Sequence, residues 1–258
     1  PANVTDLVAA AEKLSFDRGD GTRVYGFVVS MEDLSCTMDL IRAFGGDFIA
    51  PDMKVVVDEE PAVRAIATMR EMIQKNVMPR NTMNFKNEDV ITHMQQGRAA
   101  MTNSPFGRYG TFNDPKASKF PGKIKAVALP NGLDGKPIPA KTSVWAMAIP
   151  KNAKNKALSW SLVKHLSTPE ATILATLNGN GPVRPSAYAD KRVEELMPYA
   201  SAEQAALASA RLITPSFPDS QRAMNILMEE VGLALLGRKD PKAAMTDVKT
   251  RVTPLLKA

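Results

Sequence analysis

The apolar run VYGFVV, residues 24–29, restricts the fold more than any other part of the sequence. It lies between the turn-rich segment FDRGDGTR and the polar segment MEDLSC, and a continuous apolar run with such flanks predicts a buried strand. Helical patterns stand on both sides: residues 3–14, with Asn3 or Thr5 as the N-cap, and the residues that end at Gly45 and Gly46. A buried strand between two helices indicates an α/β fold.

Helices and strands alternate through the first half of the chain. A helix is predicted from Glu59 to Ile73, because its apolar residues share one face, and another over residues 87–97, ahead of the strand RAAMT. Further strands are predicted at IKAVALP, residues 124–130, and at TSVWAMAIP, residues 142–150. Helices are predicted over 153–166, from STPE onward, and after residue 202. The α/β chain is therefore helix-rich.

Composition excludes several classes of protein. The chain has 258 residues, of which 44% are hydrophobic, which is enough for one large domain or two small ones. No apolar run reaches about 18 residues and no signal-peptide pattern opens the sequence, so neither a membrane span nor a leader is predicted. The net charge of +6 comes from basic residues that mostly have acidic neighbours, a pattern typical of a solvated surface rather than of nucleic-acid binding.

Common catalytic and cofactor motifs are absent: there is no GxGxxG, P-loop, HExxH or GxSxG. His93 and His165 fall within predicted helices, where a surface or half-buried imidazole is expected. Cys36 is the single cysteine, which excludes an internal disulfide, and it is expected to be a small buried side chain. We therefore predict no enzyme activity, no cofactor and no metal. A sugar hydrolase that uses Asp33 is the alternative, although glycoside hydrolysis needs a second carboxylate at a fixed distance.

The segment MTNSPFGRYG, residues 101–110, follows a predicted strand and combines an amide, a hydroxyl and an aromatic ring. Either this loop only turns the chain, or it presents the ring and the polar groups to a small polar ligand. Loops rich in amides, hydroxyls and rings suit reversible binding of a polyhydroxylated ligand. The ring stacks on the apolar face of a sugar while the polar groups bind its hydroxyls.

Several longer segments, taken in order, resemble one known family. They are YGFVV, LIRAFGGDFI, GRAAMTNSPF, VALPNG, AIPKNAKNKALSWSLVKHLSTPEA and NGNGPVRPSAYAD. Together they are similar to the extracellular solute-binding proteins of family 1, the maltose-binding-protein-like, sugar-binding components of bacterial ABC importers. The resemblance extends over nearly the whole chain.

The resemblance implies a periplasmic-binding-protein-like fold of type II, in which two α/β lobes are joined by a hinge and the ligand binds between them. Residues 1–137 and 190–258 would form the C-terminal lobe, and residues 138–189 would return to the N-terminal lobe. The first part of the N-terminal lobe, with the export signal, would precede Pro1, which leaves the fold incomplete. The segment SVWAMAI would then lack its sheet partner, and its exposed apolar face would favour swapping or oligomerisation.

The resemblance also implies a set of ligand-binding residues. Phe106 takes the position of a stacking aromatic ring, with Asn103 and Ser104 beside it as hydrogen-bonding groups. Asp33 and Ser35 match a loop that often supplies an acid and an aromatic ring to the cleft. The alternatives are a core phenylalanine at 106, turn-forming polar residues at 103 and 104, and a helix cap at 33.

Four further residues complete the predicted site. Trp145 matches a family tryptophan on the returning strand, and Arg184 matches a position near the hinge; the alternatives are a core tryptophan and a surface arginine. Gln221 and Arg222 lie near the place where maltose-binding protein has another stacking ring, a place that Met224 takes here. Fewer aromatic rings favour a ligand smaller or more polar than a malto-oligosaccharide, such as a monosaccharide, a polyol or a phosphorylated polyol.

The resemblance therefore implies the substrate-binding component of a bacterial ABC importer, periplasmic or lipid-anchored. It would bind a carbohydrate or polyol-like solute by hinge closure and deliver it to the permease. A nucleic-acid-binding or scaffold protein is the remaining alternative, and it predicts salt-sensitive retention on DNA.

Overall fold

The computed structural model describes residues 1–32 and 34–257. Among these residues one sheet forms from β1 (Phe16–Asp17), β2 (Arg23–Val28) and β3 (Ala99–Thr102), in the order β1-β2-β3. β2 runs antiparallel to β1 and parallel to β3, and the parallel register places Val28 beside Thr102. The strands predicted at VYGFVV and RAAMT are confirmed.

Helices account for most of the regular structure. The α-helices are α1 (Val4–Lys13), α2 (Ser35–Ala43), α3 (Glu60–Gln74), α4 (Asn87–Gln95), α5 (Tyr109–Phe112), α6 (Lys156–Leu166), α7 (Pro169–Leu177), α8 (Lys191–Leu196), α9 (Ala200–Ser209), α10 (Ser220–Leu235) and α11 (Pro241–Val252). Short 3₁₀ helices occur at Thr82–Asn84, Phe106–Arg108, Pro185–Ala189 and Thr253–Lys257. The helices predicted from the sequence are confirmed.

The main core lies between β2 and the helices α1, α2, α3, α10 and α11. Ile41, Phe48, Ile66, Leu227 and Met245 are fully buried in it. Full burial of one such side chain contributes about 1.5–3 kcal/mol to folding, before the loss of conformational entropy is subtracted. The predicted apolar face of α3 supplies Ile66 to this core, so the helical periodicity correctly identified the buried side.

Gly26 allows α1 to lie directly against β2. A side-chain carbon at this position would be 1.8 Å from the backbone oxygen of Ala11, far inside van der Waals contact. The backbone N–H of Gly26 also donates to the hydroxyl of Ser15 at 2.8 Å. The glycine within the apolar run is therefore required by close packing of helix and strand.

Two smaller apolar clusters complete the packing. One joins β3 to α4 and α5 through Phe85, Val90 and Phe112. The other, built on Tyr188, Val193 and Met197, has Tyr199 packed against it. We call this last group the Tyr188 cluster.

The strands predicted at 124–130 and 142–150 are wrong, since both segments are irregular. In the described part of the chain no strand pairs with residues 143–150, and a strand forms only where a neighbour pairs its backbone N–H and C=O groups. The apolar side chains of the second segment are consequently exposed, 80% for Val144 and 97% for Trp145.

The exposed apolar surface continues onto α6, which has no buried residue. Leu158, Trp160, Leu162 and Leu166 on this helix all remain exposed. The exposed face expected for this part of the chain is thus confirmed, while the swapping or oligomerisation that it favours stays a prediction. None of the helices in residues 1–32 and 34–257 is long and apolar enough to cross a membrane.

Candidate functional site

The ends of β2 and β3 bring two polar loops to the same edge of the sheet. Because the two strands are parallel and paired at Val28 and Thr102, the segments that follow them leave the sheet at the same edge. The chain after β2 leads to Ser35 at the start of α2, and the chain after β3 leads through Asn103 and Ser104 to Phe106. This edge is the candidate site. Asp33 lies outside the described residues.

Asn103 fastens the loop after β3 to α2. Its side-chain amide donates to a carboxylate oxygen of Asp39 at 2.9 Å, and its backbone oxygen accepts from the thiol of Cys36 at 3.2 Å. The other carboxylate oxygen of Asp39 accepts from the backbone N–H of Lys141 at 2.7 Å. Burial raises the pKa of Asp39, and the bonds from Asn103 and Lys141 oppose this rise. Asn103 therefore shapes the loop as well as offering polar groups from it.

Arg42, one turn further along α2, holds two other chain segments. It is 5% exposed and donates to the backbone oxygens of Pro139 at 3.0 Å and Leu212 at 2.7 Å. It also approaches Asp47 at 3.4 Å, and Asp47 accepts from Arg211 at 2.6 Å. Burial lowers the pKa of Arg42, while the charge of Asp47 opposes the shift.

The segments that Arg42 holds run side by side. Lys141 and Arg211 form a parallel bridge, and the backbone N–H of Thr142 donates to the oxygen of Arg211 at 3.0 Å. A second parallel bridge joins Asn3 to Asn131. The chain thus passes the candidate site through paired extended segments.

Phe106 lies in an aromatic group that no sequence spacing suggested. Its ring stacks on Tyr199, with centroids 5.5 Å apart and planes 15° apart. The ring of Tyr109 lies 5.1 Å from Tyr199 at a tilt of 52°. We call Phe106, Tyr109 and Tyr199 the aromatic triplet. Phe106 itself is half-buried, so it is not sealed in a core.

A carboxylate lies next to the aromatic triplet. The hydroxyl of Tyr188 donates to Glu203 at 3.0 Å. Burial raises the pKa of Glu203, with the bond from Tyr188 opposing it, and burial together with the charge of Glu203 raises the pKa of Tyr199 to about 12. Tyr199 is therefore a neutral ring with a hydroxyl at physiological pH.

The loop around residue 180 closes against this group. A side-chain carbon at Gly107 would lie 3.5 Å from the backbone oxygen of Gly179, and one at Gly181 would lie 3.7 Å from a carboxylate oxygen of Glu203. The loop after β3, the glycine-rich segment NGNG and the start of α9 therefore meet beside Phe106.

Four further predicted site residues are exposed. Trp145 is almost fully exposed in the described part of the chain. Arg184 is exposed and donates to the backbone oxygen of Ser167. Gln221 and Arg222 are exposed on the first turn of α10, where the amide of Gln221 donates to Asn225 at 3.0 Å. The structure brings Asn103, Ser104 and Phe106 together in one loop; ligand contact by any predicted residue stays a prediction.

One hollow lies beside the candidate site and another lies away from it. A recess of about 20 Å³, room for about one water molecule, is lined by Asp39 and Asn103 and otherwise by apolar side chains such as Phe27 and Leu129. A more open groove of about 340 Å³ lies between the ends of α3 and α10, with Arg70 and Arg80 in its lining. The end of α3 is beside the start of β2, since Arg23 donates to the backbone oxygen of Asn76 at 2.9 Å. The groove is therefore at the opposite end of the sheet from the candidate site.

Acidic clusters, Cys36 and the two histidines were the remaining candidates for metal binding or catalysis. No group of three or more His, Cys, Asp or Glu side chains within residues 1–32 and 34–257 could hold a metal ion. Cys36 is buried, as expected. His93 packs beside Phe85, with ring centroids 4.9 Å apart, and a nitrogen of its ring lies 2.8 Å from the backbone oxygen of Asp89. His165 is exposed on α6.

Comparison with known proteins extends these observations. A family model described as bacterial extracellular solute-binding protein matches residues 1–173. A curated relative, the probable amino-acid ABC transporter periplasmic-binding protein y4oP of Sinorhizobium fredii, is 20% identical over 220 residues. The match covers 84% of this chain and 49% of the relative, so the chain spans about half the length of that protein.

Solved structures match over almost the whole chain. Maltose-bound MalE3 of T. maritima has a TM-score of 0.88 at 23% identity, with 99% of this chain and 66% of that chain covered. A solute-binding protein of an ABC transporter from Agrobacterium radiobacter K84, in complex with ribitol, has a TM-score of 0.85 at 22% identity, with 99% and 65% covered. The expected α/β fold, periplasmic-binding-protein-like and of type II, is confirmed. The chain belongs to the family of bacterial extracellular solute-binding proteins.

Proposed function

We propose that this chain is the solute-recognising part of the substrate-binding component of a bacterial ABC importer, and that it binds a carbohydrate or polyol-like solute. The observation that carries the proposal is the half-buried ring of Phe106 in the same loop as Asn103 and Ser104, at the edge where β2 and β3 end. A flat apolar ring next to amide and hydroxyl groups suits the alternating C–H and O–H faces of a sugar. The maltose and ribitol complexes among the similar structures support the same class of solute.

The methionine in place of one expected stacking ring favours a small solute. The resemblance to maltose-binding protein places a further stacking ring near Met224. In this chain Met224 is half-buried and packs against the main core. Gln221 and Arg222, the neighbouring exposed residues, offer polar groups only. A monosaccharide or a polyol needs a single stacking surface, so we infer a solute of about that size.

The division into lobes is part of the proposal. We infer that residues 1–137 and 190–258 belong to one lobe and 138–189 to the other. The paired segments at Asn3–Asn131 and Lys141–Arg211 support a place where the chain passes repeatedly between two bodies. The exposed apolar face of α6 supports a missing neighbour for the middle segment. The whole protein is expected to act outside the cytoplasm, periplasmic or lipid-anchored, with a transmembrane permease as its partner.

Asp39 does not support the hydrolase alternative. Asp39 is the carboxylate fixed nearest to Asn103, and both its oxygens accept hydrogen bonds. A buried carboxylate committed in this way is a structural group rather than a free second acid for glycoside hydrolysis.

The experiment is a calorimetric titration of the full-length protein. Titrations with maltose, ribitol and D-mannitol are compared with titrations with a panel of amino acids, because the curated relative is named a probable amino-acid ABC transporter periplasmic-binding protein. We expect a sugar or polyol to bind and the amino acids to remain silent. Replacement Phe106→Ala should cost about 2 kcal/mol, roughly 30-fold in affinity.

The matched control is Phe16→Ala. Phe16 is an exposed phenylalanine on β1, paired with Val24 at the start of β2 and thus away from the site. It should leave affinity unchanged. Binding of amino acids in place of sugars, or equal affinities of the Phe106 and Phe16 variants, would contradict the proposed function.

A further inference from the structure

We propose that Tyr199 is a positioning residue: it holds the ring of Phe106 in the orientation that a bound solute needs. The inference rests on the proposed function and deepens it, since it names a residue that acts on the solute through another side chain. Tyr199 is outside every segment that the family resemblance singled out as a ligand contact.

The first step is the contact itself. The planes of Phe106 and Tyr199 differ by 15°, and their centroids lie 5.5 Å apart, which is an offset stack of two rings. One face of Phe106 is therefore covered by protein. The C–H groups of a solute can pack only on the opposite face, so Tyr199 decides which side of Phe106 is offered.

The second step concerns what holds the ring of Tyr199 in place. Tyr199 is the N-cap of α9, and its backbone oxygen accepts the first helical hydrogen bond from Glu203 at 3.0 Å. The side chain of Glu203 accepts from Tyr188, which belongs to the buried Tyr188 cluster. The ring of Tyr109 also contacts the ring of Tyr199, with centroids 5.1 Å apart and planes at 52°. Tyr199 is thus held on one side by the Tyr188 cluster and by Tyr109, which follows Phe106 in the chain.

The third step is the consequence for binding. Phe106 opens a short 3₁₀ helix in a loop, and its ring would have to be immobilised when a solute stacks on it. A ring that is already held loses little rotamer freedom on binding, and such preorganisation is worth roughly a twofold to tenfold gain in affinity. The side chain that confers this gain is Tyr199, because it is the ring stacked face to face on Phe106.

The test is a double-mutant cycle in the full-length protein, with affinities for ribitol and maltose measured by calorimetry. Tyr199→Leu keeps an apolar side chain but removes the flat ring, and we expect about fivefold weaker binding. Tyr199→Phe keeps the ring and is the conservative rescue variant, expected within about twofold of wild type. Leu207→Ala is the control on the same helix, since Leu207 is 46% exposed on α9.

The decisive comparison is made in the Phe106→Ala background. If Tyr199 acts through Phe106, Tyr199→Leu adds no further loss there, whereas a merely structural role of Tyr199 gives the same loss in both backgrounds. A persistent loss, or a neutral Tyr199→Leu in a protein that binds ribitol or maltose, would overturn the inference alone. A wild-type protein that binds no sugar or polyol would overturn the proposed function, and the role of Tyr199 with it.

Discussion

Replacing Arg42 by methionine should destabilise the protein far more than replacing its exposed neighbour Arg211. Arg42 makes two short charge-assisted hydrogen bonds, at 3.0 Å to Pro139 and 2.7 Å to Leu212, from a side chain only 3% exposed. Bonds of this kind contribute about 1.5–3 kcal/mol each, and loss of one partner of a buried charged pair costs about 3–5 kcal/mol. Because Arg211 remains to compensate Asp47, we expect a value near the lower end, about 3 kcal/mol.

Urea unfolding followed by circular dichroism measures this difference. Arg211→Met is the matched control: its ion pair with Asp47 is 42% exposed on the arginine side, so its loss should cost below about 1 kcal/mol. We expect the two variants to differ in midpoint with similar slopes. Equal destabilisation by both replacements, or an Arg42→Met protein within about 1 kcal/mol of wild type, would refute the assignment of Arg42 as the tie between α2 and the paired segments.

Three further predictions concern other parts of the chain. The isolated chain should self-associate through its exposed α6, and the double replacement of Trp160 and Leu162 by glutamate should restore a monomer in light scattering; a monomeric wild type contradicts this. Glu203 has a raised pKa in the folded protein, so its contribution to stability is present below about pH 4.5 and is lost as pH rises through the folded pKa. Glu203→Gln should therefore flatten the pH dependence of the unfolding free energy over that window, and an unchanged profile counts against it. Gly26→Ala should cost about 3 kcal/mol or more in urea unfolding, because its added carbon would overlap the backbone of α1. Gly110→Ala, where no atom lies within 4 Å, should be neutral or slightly stabilising; similar behaviour of both glycines would contradict the packing argument.

Local sequence patterns were sufficient to predict the elements whose apolar side chains pack within the described chain. The apolar run around Phe27 and the helical periodicity of α3 are buried as predicted, since both reflect burial against neighbours within the described chain. The strand predicted around Trp145 failed because β structure needs a pairing partner, which local sequence cannot supply.

The candidate site was predictable only in part. Phe106 and Asn103 lie in one loop and could be found from residue type and position. The contacts of Phe106 with Tyr199, and of Asn103 with Asp39, join residues far apart in the chain and depend on the tertiary fold. A tyrosine at the start of α9 has no spacing relative to the loop after β3 that would identify it.

The most direct test of the proposed solute site is a crystal structure of the full-length protein with ribitol bound. We expect carbon atoms of ribitol within about 4.5 Å of the Phe106 ring, on the face opposite Tyr199, with hydroxyls bonded to groups of the same loop. Ribitol bound elsewhere, with the ring of Phe106 out of contact, would contradict the account.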